Sequence, residues 1–142
     1  MQRKIYLIEP SYRDATGKLL QGERVLYCSL ELPALSATVP AVWEKEFCME
    51  YFEEVNFETD ASVIGILSMG YDILHGIEIA EEFKRRGKTV IFGGPQARLT
   101  LRRLRSVCHP VVHGHPGSYE MRGILETSSI TGSHQNTKGG ST

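Results

Sequence analysis

Small and polar residues follow apolar stretches of the sequence, at points where the backbone could contact a bound molecule. Two of these groups are Ser68-Met69-Gly70 and Gly93-Gly94-Pro95, and a third is Gly114-His115. Glycine has no side chain, so it allows a sharp turn or the close approach of a ligand to the backbone. In open α/β sheets, ligands bind beyond the carboxyl ends of the strands. The pattern therefore predicts a binding site at strand ends, with no catalytic residue among its members.

Each of these signals also has a structural explanation that involves no ligand. Two successive glycines after a strand often form only a turn. A serine at a strand end, such as Ser68, more often caps a helix or completes a turn than binds a ligand. Only the combination of such groups at neighbouring strand ends favours a ligand site.

Histidine and cysteine do not occur in the spacing of a metal site. The sequence contains no CxxC or CxxxCxxC cluster, so neither a zinc knuckle nor an iron–sulfur site is encoded. His113 and His115 flank Gly114 in a predicted turn, with no carboxylate nearby in the sequence, and His75 is expected at the boundary of the core. Widely spaced cysteines are typical of buried free thiols in a reducing compartment. They are Cys28, Cys48 and Cys108.

The bulk composition indicates a soluble globular domain. The chain has 142 residues, of which 41% are hydrophobic and 23% are charged, and its net charge is −1. A general nucleic-acid binder would need a basic stripe, so nucleic acid is not expected as a partner. The apolar run in the amino-terminal sequence MQRKIYLIEP is too short for a signal peptide or a membrane span. The expected location is the cytoplasm, with no membrane partner.

The stretch from Val63 to Gly94 predicts a strand, a helix and a second strand. The first and last parts are short apolar runs, as expected of strands buried on both faces. Between them, apolar residues recur at helical spacing and basic residues precede Gly87, which is typical of a helix end. The residues of the predicted buried helix face are Ile73, Ile77, Ala80 and Phe83.

Further elements are predicted on both sides of this unit. They are strands at Lys4–Ile8, Glu46–Phe52 (at an edge) and His109–His113, helices at Pro33–Thr38, Arg98–Val107 and Pro116–Glu126, and a long loop at Ser11–Gly22. Strands that alternate with helices predict an α/β fold with a doubly wound, five-stranded parallel sheet. The expected strand order is the flavodoxin-like 2-1-3-4-5, with helices on both faces. Residues 1–126 form this domain, and residues 127–142, rich in Ser, Thr and Gly, are expected to be a disordered tail.

The stretch DASVIGILSMGYDILHGIEIAEEFKRRGKTVIFGGPQA (60–97), followed by VVHGHPG (111–117), resembles the cobalamin-binding domain at the amino terminus of radical S-adenosylmethionine enzymes. The resemblance extends from Lys4 to about Leu125. It implies a module that holds a base-off corrinoid at the carboxyl ends of the strands, for methyl transfer or related radical chemistry in a separate catalytic domain. The implied cofactor-binding residues are Ser68, Met69, Gly70, Gly93, Gly94, Pro95, Gln96, Gly114 and His115.

The sequence also departs from this family. The histidine motif Asp-x-His-x-x-Gly is absent after the first strand, where the sequence is EPSYRD, and His115 stands in place of the usual Glu. Many radical-type relatives also lack this motif, so the resemblance implies base-off binding in which no protein histidine binds cobalt. The radical barrel is missing too. An iron–sulfur cluster and S-adenosylmethionine would belong to a partner barrel domain, in cis or in trans, and this chain would not be catalytic alone.

Other functions remain open at this stage. The departures from the family allow a degenerate scaffold, which would keep the fold and serve only in protein interactions. A flavin- or nucleotide-binding protein is less favoured, because no glycine-rich phosphate loop follows the first strand. A phosphorylation receiver is disfavoured as well, because Leu67-Ser68-Met69 stands where an acidic residue would be needed.

Overall fold

Parallel strands form the centre of the fold. The computed structural model describes residues 3–23, 30–94, 101–108, 111–113 and 123–126. Its strands include β1 (Arg3–Glu9), β2 (Trp43–Met49), β3 (Val63–Leu67) and β4 (Thr89–Gly94). These four pair in the order β2-β1-β3-β4, and each neighbouring pair is parallel. The α/β class and this part of the predicted strand order are confirmed, and they are consistent with a flavodoxin-like fold.

The described helices are α1 (Glu31–Thr38), α2 (Ile73–Arg85) and α3 (Leu101–Val107). Residues 123–126 are also helical. After α3, the short segment β5 (Val111–His113) lies parallel to the end of β4. The first two residues of the predicted last strand, 109 and 110, lie outside the described residues, as do the beginnings of the predicted helices at Arg98 and Pro116 and the predicted tail. No helix within the described ranges is long and apolar enough to cross a membrane.

Two apolar layers cover the two faces of the sheet. Along β1, Tyr6 and Ile8 point to the layer that contains the buried residues of α2 and Leu104 of α3. Ile5 and Leu7 belong to the opposite layer, with residues from α1 and residues 123–126. Successive side chains of a strand point to opposite faces, so the apolar run Ile5–Ile8 in β1 contributes to both layers.

Helix α2 has the predicted amphipathic character. Ile77, Ala80 and Phe83 are completely buried, while Ile73 is partly buried against the same core. The helix ends at Arg85, and Gly87 has a φ of 78°. Glycine adopts this left-handed conformation without the strain that a Cβ atom causes, so the predicted helix stop is confirmed.

Strand β2 lies three residues earlier than predicted, at Trp43–Met49 instead of Glu46–Phe52. Its register is set by β1, because Arg3 pairs with Trp43 and Glu9 with Met49. Beyond Met49 the chain turns, and the carbonyl oxygen of Met49 accepts hydrogen bonds from the amides of Phe52 and Glu53. The alternating pattern of residues 46–52 therefore extends beyond the end of the strand into a turn, and it does not mark where the strand ends. The strand stands at the edge of the described sheet, as predicted.

Helix α1 begins two residues before the predicted start. Pro33 is its third residue instead of its first. Amides in the first turn of a helix have no partner within the helix, so a proline is tolerated there. Residues 24–29, which precede this helix, lie outside the described part of the chain.

We expect Phe83→Ala to lower the free energy of unfolding by about 3–5 kcal/mol, the usual cost of removing a buried aromatic ring. Phe83 packs edge-on against Tyr6 and lies 5.0 Å from the ring of Phe57, between ring centroids. Leu74→Ala is the matched control, because Leu74 is on the same helix and is 60% exposed. Urea denaturation followed by circular dichroism measures both changes. Equal losses in the two variants would contradict the assigned helix face.

Candidate functional site at the carboxyl edge of the sheet

The ends of β3 and β4 meet at the carboxyl edge of the sheet. The amide of Ser68 donates a hydrogen bond to the carbonyl oxygen of Gly93, at 2.9 Å. Met69, Gly70 and Gly93 are partly exposed, whereas Ser68 and Gly94 are buried. The structure therefore brings together two of the three groups predicted from the sequence. Four predicted site residues lie outside the described residues: Pro95, Gln96, Gly114 and His115.

Gly94 is required by the fold itself. Its φ is 138°, a conformation that residues with a side chain rarely adopt. A Cβ atom built on Gly94 would lie 1.8 Å from the carbonyl oxygen of Ser68, which is far closer than any real contact. The absence of a side chain at Gly94 thus allows β4 to pass against the end of β3. This requirement is independent of any ligand.

The turn between β3 and α2 is organised by Asp72, which the sequence analysis did not single out. One oxygen, Oδ1, accepts hydrogen bonds from the hydroxyl of Ser68 (2.6 Å) and from the amides of Met69 (2.9 Å) and Gly70 (3.1 Å). Asp72 is 1% exposed. Burial raises the pKa of this carboxyl above its ordinary value, and the three hydrogen bonds oppose that shift.

These contacts limit the hydrogen bonds that Ser68 could make to a ligand. Its hydroxyl proton points to Asp72, so only the lone pairs of the hydroxyl oxygen are left as acceptors. The amides of Met69 and Gly70 are also occupied by Asp72. A ligand at this edge would therefore contact mainly the backbone surface of Gly70 and Gly93.

A second buried polar group lies beside this edge. Glu50, just after β2, is 5% exposed, and its Oε1 lies 2.8 Å from Nε2 of His75 on α2. Although this distance is short enough for a hydrogen bond, Nε2 has no partner that meets hydrogen-bond geometry. The oxygen therefore lies away from the direction of the ring N–H. We therefore describe the contact as an ion pair. The other ring nitrogen, Nδ1, lies 3.0 Å from Oε2 of Glu78.

The loop after β1 is compact in the structure. Arg13 and Leu19 form an antiparallel bridge, and the chain reverses around Gly17, which has a φ of 84°. Tyr12 packs edge-on against Tyr71, the residue before Asp72, with 4.9 Å between ring centroids. Both rings are exposed, by 38% and 62%. The predicted long loop thus adds an aromatic pair to the region where α2 begins.

Asp72 and the Glu50–His75 pair were missed because their partners are not visible as a sequence motif. Asp72 follows Ser68 by four residues at the start of a predicted helix, which is a weak capping signal. His75 was correctly placed at the core boundary, but its contact with Glu50 joins residues that are 25 positions apart. Only the fold brings them together.

No group of three or more potential metal ligands occurs among the residues that the structure describes. Both nitrogens of His75 face carboxylates, and the side chains of His113 and His115 lie outside the description. Cys48 and Cys108 are buried free thiols, as predicted, and burial raises the pKa of each to about 12. They are therefore protonated and unreactive at neutral pH.

We expect Gly94→Ala to destabilise the protein more than Gly87→Ala does. Both glycines have a positive φ, and forcing alanine into such a conformation costs about 1–2 kcal/mol. At Gly87 nothing lies within 4 Å of the added Cβ, whereas at Gly94 the carbonyl of Ser68 blocks it. Chemical denaturation of the two variants compares their free energies of unfolding. Equal losses would show that β3 and β4 do not approach as closely as described.

Removing the Asp72 carboxyl should leave the β3–α2 turn without its acceptor. We expect Asp72→Ala to lower the free energy of unfolding by about 1–3 kcal/mol, the cost of leaving buried donors unsatisfied. Asp72→Asn keeps an acceptor oxygen and should retain most of the stability at pH 7. The asparagine also avoids burying a charge, so its stability relative to wild type should rise as the pH increases above 3.8, the ordinary pKa of Asp. A relative stability that falls over this range would contradict the raised pKa of Asp72.

Comparison with known proteins gives one informative similarity. The chain is 35% identical over 66 residues to the bacteriochlorophyllide d C-8(2)-methyltransferase of Chlorobaculum tepidum. The match covers 46% of this chain and 15% of the methyltransferase. No protein-family model matches the sequence, and no solved structure matches it. The chain is thus similar to a small part of a methyltransferase.

Proposed function

We propose that this chain is a cobalamin-binding module that holds a base-off corrinoid at the carboxyl edge of its sheet. The observation that carries the proposal is the meeting of Ser68–Gly70 and Gly93–Gly94 at neighbouring ends of parallel strands. This is the edge at which open α/β sheets bind ligands. The resemblance of residues 60–117 to cobalamin-binding domains and the partial similarity to a methyltransferase support the choice of ligand.

The described residues fit a large, flat cofactor at this edge. Gly70 and Gly93 are partly exposed and present backbone without a side chain. The nucleotide tail of the corrinoid would pass over these two residues, and the hydroxyl oxygen of Ser68 could accept a hydrogen bond from it. Met69 would add apolar contact. The other residues that we assign to the cofactor site are Gly94, Pro95, Gln96, Gly114 and His115.

The surroundings of His75 fit a corrinoid without a histidine ligand from this chain. His75 is buried, and carboxylates lie 2.8 Å and 3.0 Å from its two ring nitrogens. Because both ring nitrogens face carboxylates, neither is presented as a free ligand for a cobalt ion. Among the histidines, this is the one whose side chain the structure describes. Its contacts therefore support a cobalt that does not have this histidine as a ligand.

The proposal includes a partner. A corrinoid would supply a transferable methyl group, and among the described residues we assign no group that would activate a substrate. We assign that chemistry to a radical S-adenosylmethionine barrel domain with an iron–sulfur cluster, in cis or in trans, and favour methyl transfer as its reaction. The fold in this proposal is the complete five-stranded order 2-1-3-4-5, and the location is the cytoplasm.

One observation favours a second candidate, a scaffold that has kept the fold without the cofactor. The conformation of Gly94 and the hydroxyl of Ser68 are both explained by contacts within the chain. Two of the residues that suggest a ligand are therefore needed even when no ligand is bound. A binding measurement separates the two functions.

The test is equilibrium dialysis of the purified chain against hydroxocobalamin, read by visible absorption. We expect wild type to retain the corrinoid, and Gly93→Trp to bind about tenfold more weakly or worse, a loss of 1.4 kcal/mol or more. The indole would occupy the surface that the cofactor needs. Thr89→Trp is the matched control, because Thr89 is exposed at the opposite end of the same strand. Its affinity should equal that of wild type.

Three outcomes would count against the proposal. Wild type without bound corrin would favour the scaffold. Equal binding by Gly93→Trp and wild type would place the cofactor elsewhere, and equal loss in both tryptophan variants would indicate damage to β4. Circular dichroism of each variant shows whether the fold is retained.

A further inference from the structure

The loop at residues 11–22 is held at the carboxyl edge by a ring of polar contacts. The amide of Ser11 donates to Oε1 of Glu50 at 2.9 Å, and the same oxygen lies 2.8 Å from Nε2 of His75. His75 contacts Glu78 through its other nitrogen, and Glu78 in turn pairs with Arg13 at 3.2 Å. Both ends of this chain of contacts are therefore residues of the loop, with His75 between them.

Glu50 is the critical member because it is a buried carboxylate. It is 5% exposed and its backbone amide is already used by the carbonyl oxygen of Glu9, at 3.0 Å. An isolated charge in such a position is strongly unfavourable, whereas a charge beside an opposite charge and a hydrogen-bond donor is tolerated. Protonated His75 and the amide of Ser11 supply these two partners.

We propose that the protonation of His75 fixes the 11–22 loop to the sheet edge and that loss of this proton loosens the loop. Neutral His75 carries a single N–H, which belongs on Nδ1, because this nitrogen has hydrogen-bond geometry to Glu78 and Nε2 has none. The Glu50 carboxylate then keeps only the Ser11 amide as a close donor on Oε1. The carboxylate then gains free energy by reaching water. Movement of Glu50 toward solvent breaks its contact with Ser11, and the loop loses its buried anchor.

The charged groups around His75 determine the direction of the pH effect. Glu50 faces it from the turn after β2, Glu78 from its own helix, and Arg13 from the loop through Glu78. Glu9 ends β1 and accepts a hydrogen bond from the amide of Glu50, and Asp72 immediately precedes α2, three residues before His75. The near neighbours of the ring are thus carboxylates, and the positive Arg13 contacts the ring only through Glu78.

The neighbouring carboxylates determine whether the pKa of His75 is raised or lowered by folding. Burial alone would lower the pKa of His75, but the two contacting carboxylates outweigh it and raise the pKa above 6.5, the ordinary value. A group whose pKa is raised by folding stabilises the fold fully below its unfolded pKa. That stabilisation is lost as the pH rises through the folded pKa. The loop is therefore held at acidic pH and loosens above pH 6.5.

The loop carries part of the surface at the sheet edge. Tyr12 rests on Tyr71, which immediately precedes Asp72 and the start of α2. Loosening of the loop would separate this pair of rings. The inference does not depend on a corrinoid, because all of its contacts are within the chain.

The test is nuclear magnetic resonance of the chain without ligand, from pH 5.5 to 9. We expect the ring signals of His75 and the amide signal of Ser11 to titrate with one common midpoint above 6.5. Protection of the Ser11 amide from hydrogen exchange, after correction for the intrinsic rate, should fall about tenfold across this midpoint, the size expected for one lost hydrogen bond.

Glu78→Gln and Glu81→Gln provide a matched pair on the same helix. Glu78 contacts His75, whereas Glu81 is exposed and lies on the solvent side. Glu78→Gln should move the common midpoint to lower pH, and Glu81→Gln should leave it where it is in wild type. Because Glu78 is half exposed, this substitution should leave the fold intact.

His75→Gln removes the titration itself and should give a Ser11 amide whose protection no longer changes between pH 5.5 and 9. The proposal is overturned if the Ser11 amide does not follow His75, if the midpoint lies at or below 6.5, or if both glutamine variants shift it equally. If His75→Gln does not fold, the comparison of Glu78→Gln with Glu81→Gln decides the question.

Discussion

The carboxylate of Asp72 fixes the start of α2, and much of the candidate site depends on where that helix starts. A single buried oxygen collects the hydroxyl of Ser68 and two backbone amides of the turn. The turn is thereby closed over the end of β3, and α2 leaves it in one defined direction. His75 and Tyr71 owe their positions to this geometry, and with them the contacts of the loop that follows β1.

The glycines at the strand ends have two roles that the structure separates. Gly94 is required because its Cβ would overlap the carbonyl oxygen of Ser68. Gly70 has a φ of 130°, a backbone conformation that favours glycine. It is also partly exposed, so its backbone is accessible to a ligand. A glycine pattern can therefore mark a fold and a binding surface at once.

The sequence was sufficient to predict the helices and strands whose hydrophobic pattern depends only on neighbouring residues. The apolar runs of β3 and β4 and the helical spacing of Ile77, Ala80 and Phe83 predicted the central unit correctly, because burial follows directly from that spacing. The predicted position of strand β2 was three residues too far along the chain, because the limits of this strand are set by pairing with β1, about 40 positions away. An alternating pattern does not show where pairing ends.

The candidate site was predictable only in part, for a similar reason. Ser68 and Gly93 could be placed at one edge because parallel strands end on the same side. The Glu50–His75 contact could not be foreseen, because it joins a turn after one strand to a helix that follows another. A charged residue next to an edge strand is normally exposed. Nothing in the local sequence indicates that Glu50 is buried.

Strand β2 has a consequence for how this molecule meets others. An edge strand presents unpaired amide and carbonyl groups along its outer side, and another chain could extend the sheet there. Its middle residues, Glu44, Lys45 and Glu46, are charged, and Lys4 on the neighbouring strand pairs with both glutamates. An incoming strand would have to displace or bury these charges. These charges therefore oppose edge-to-edge pairing at β2, although the net charge of the whole chain is only −1.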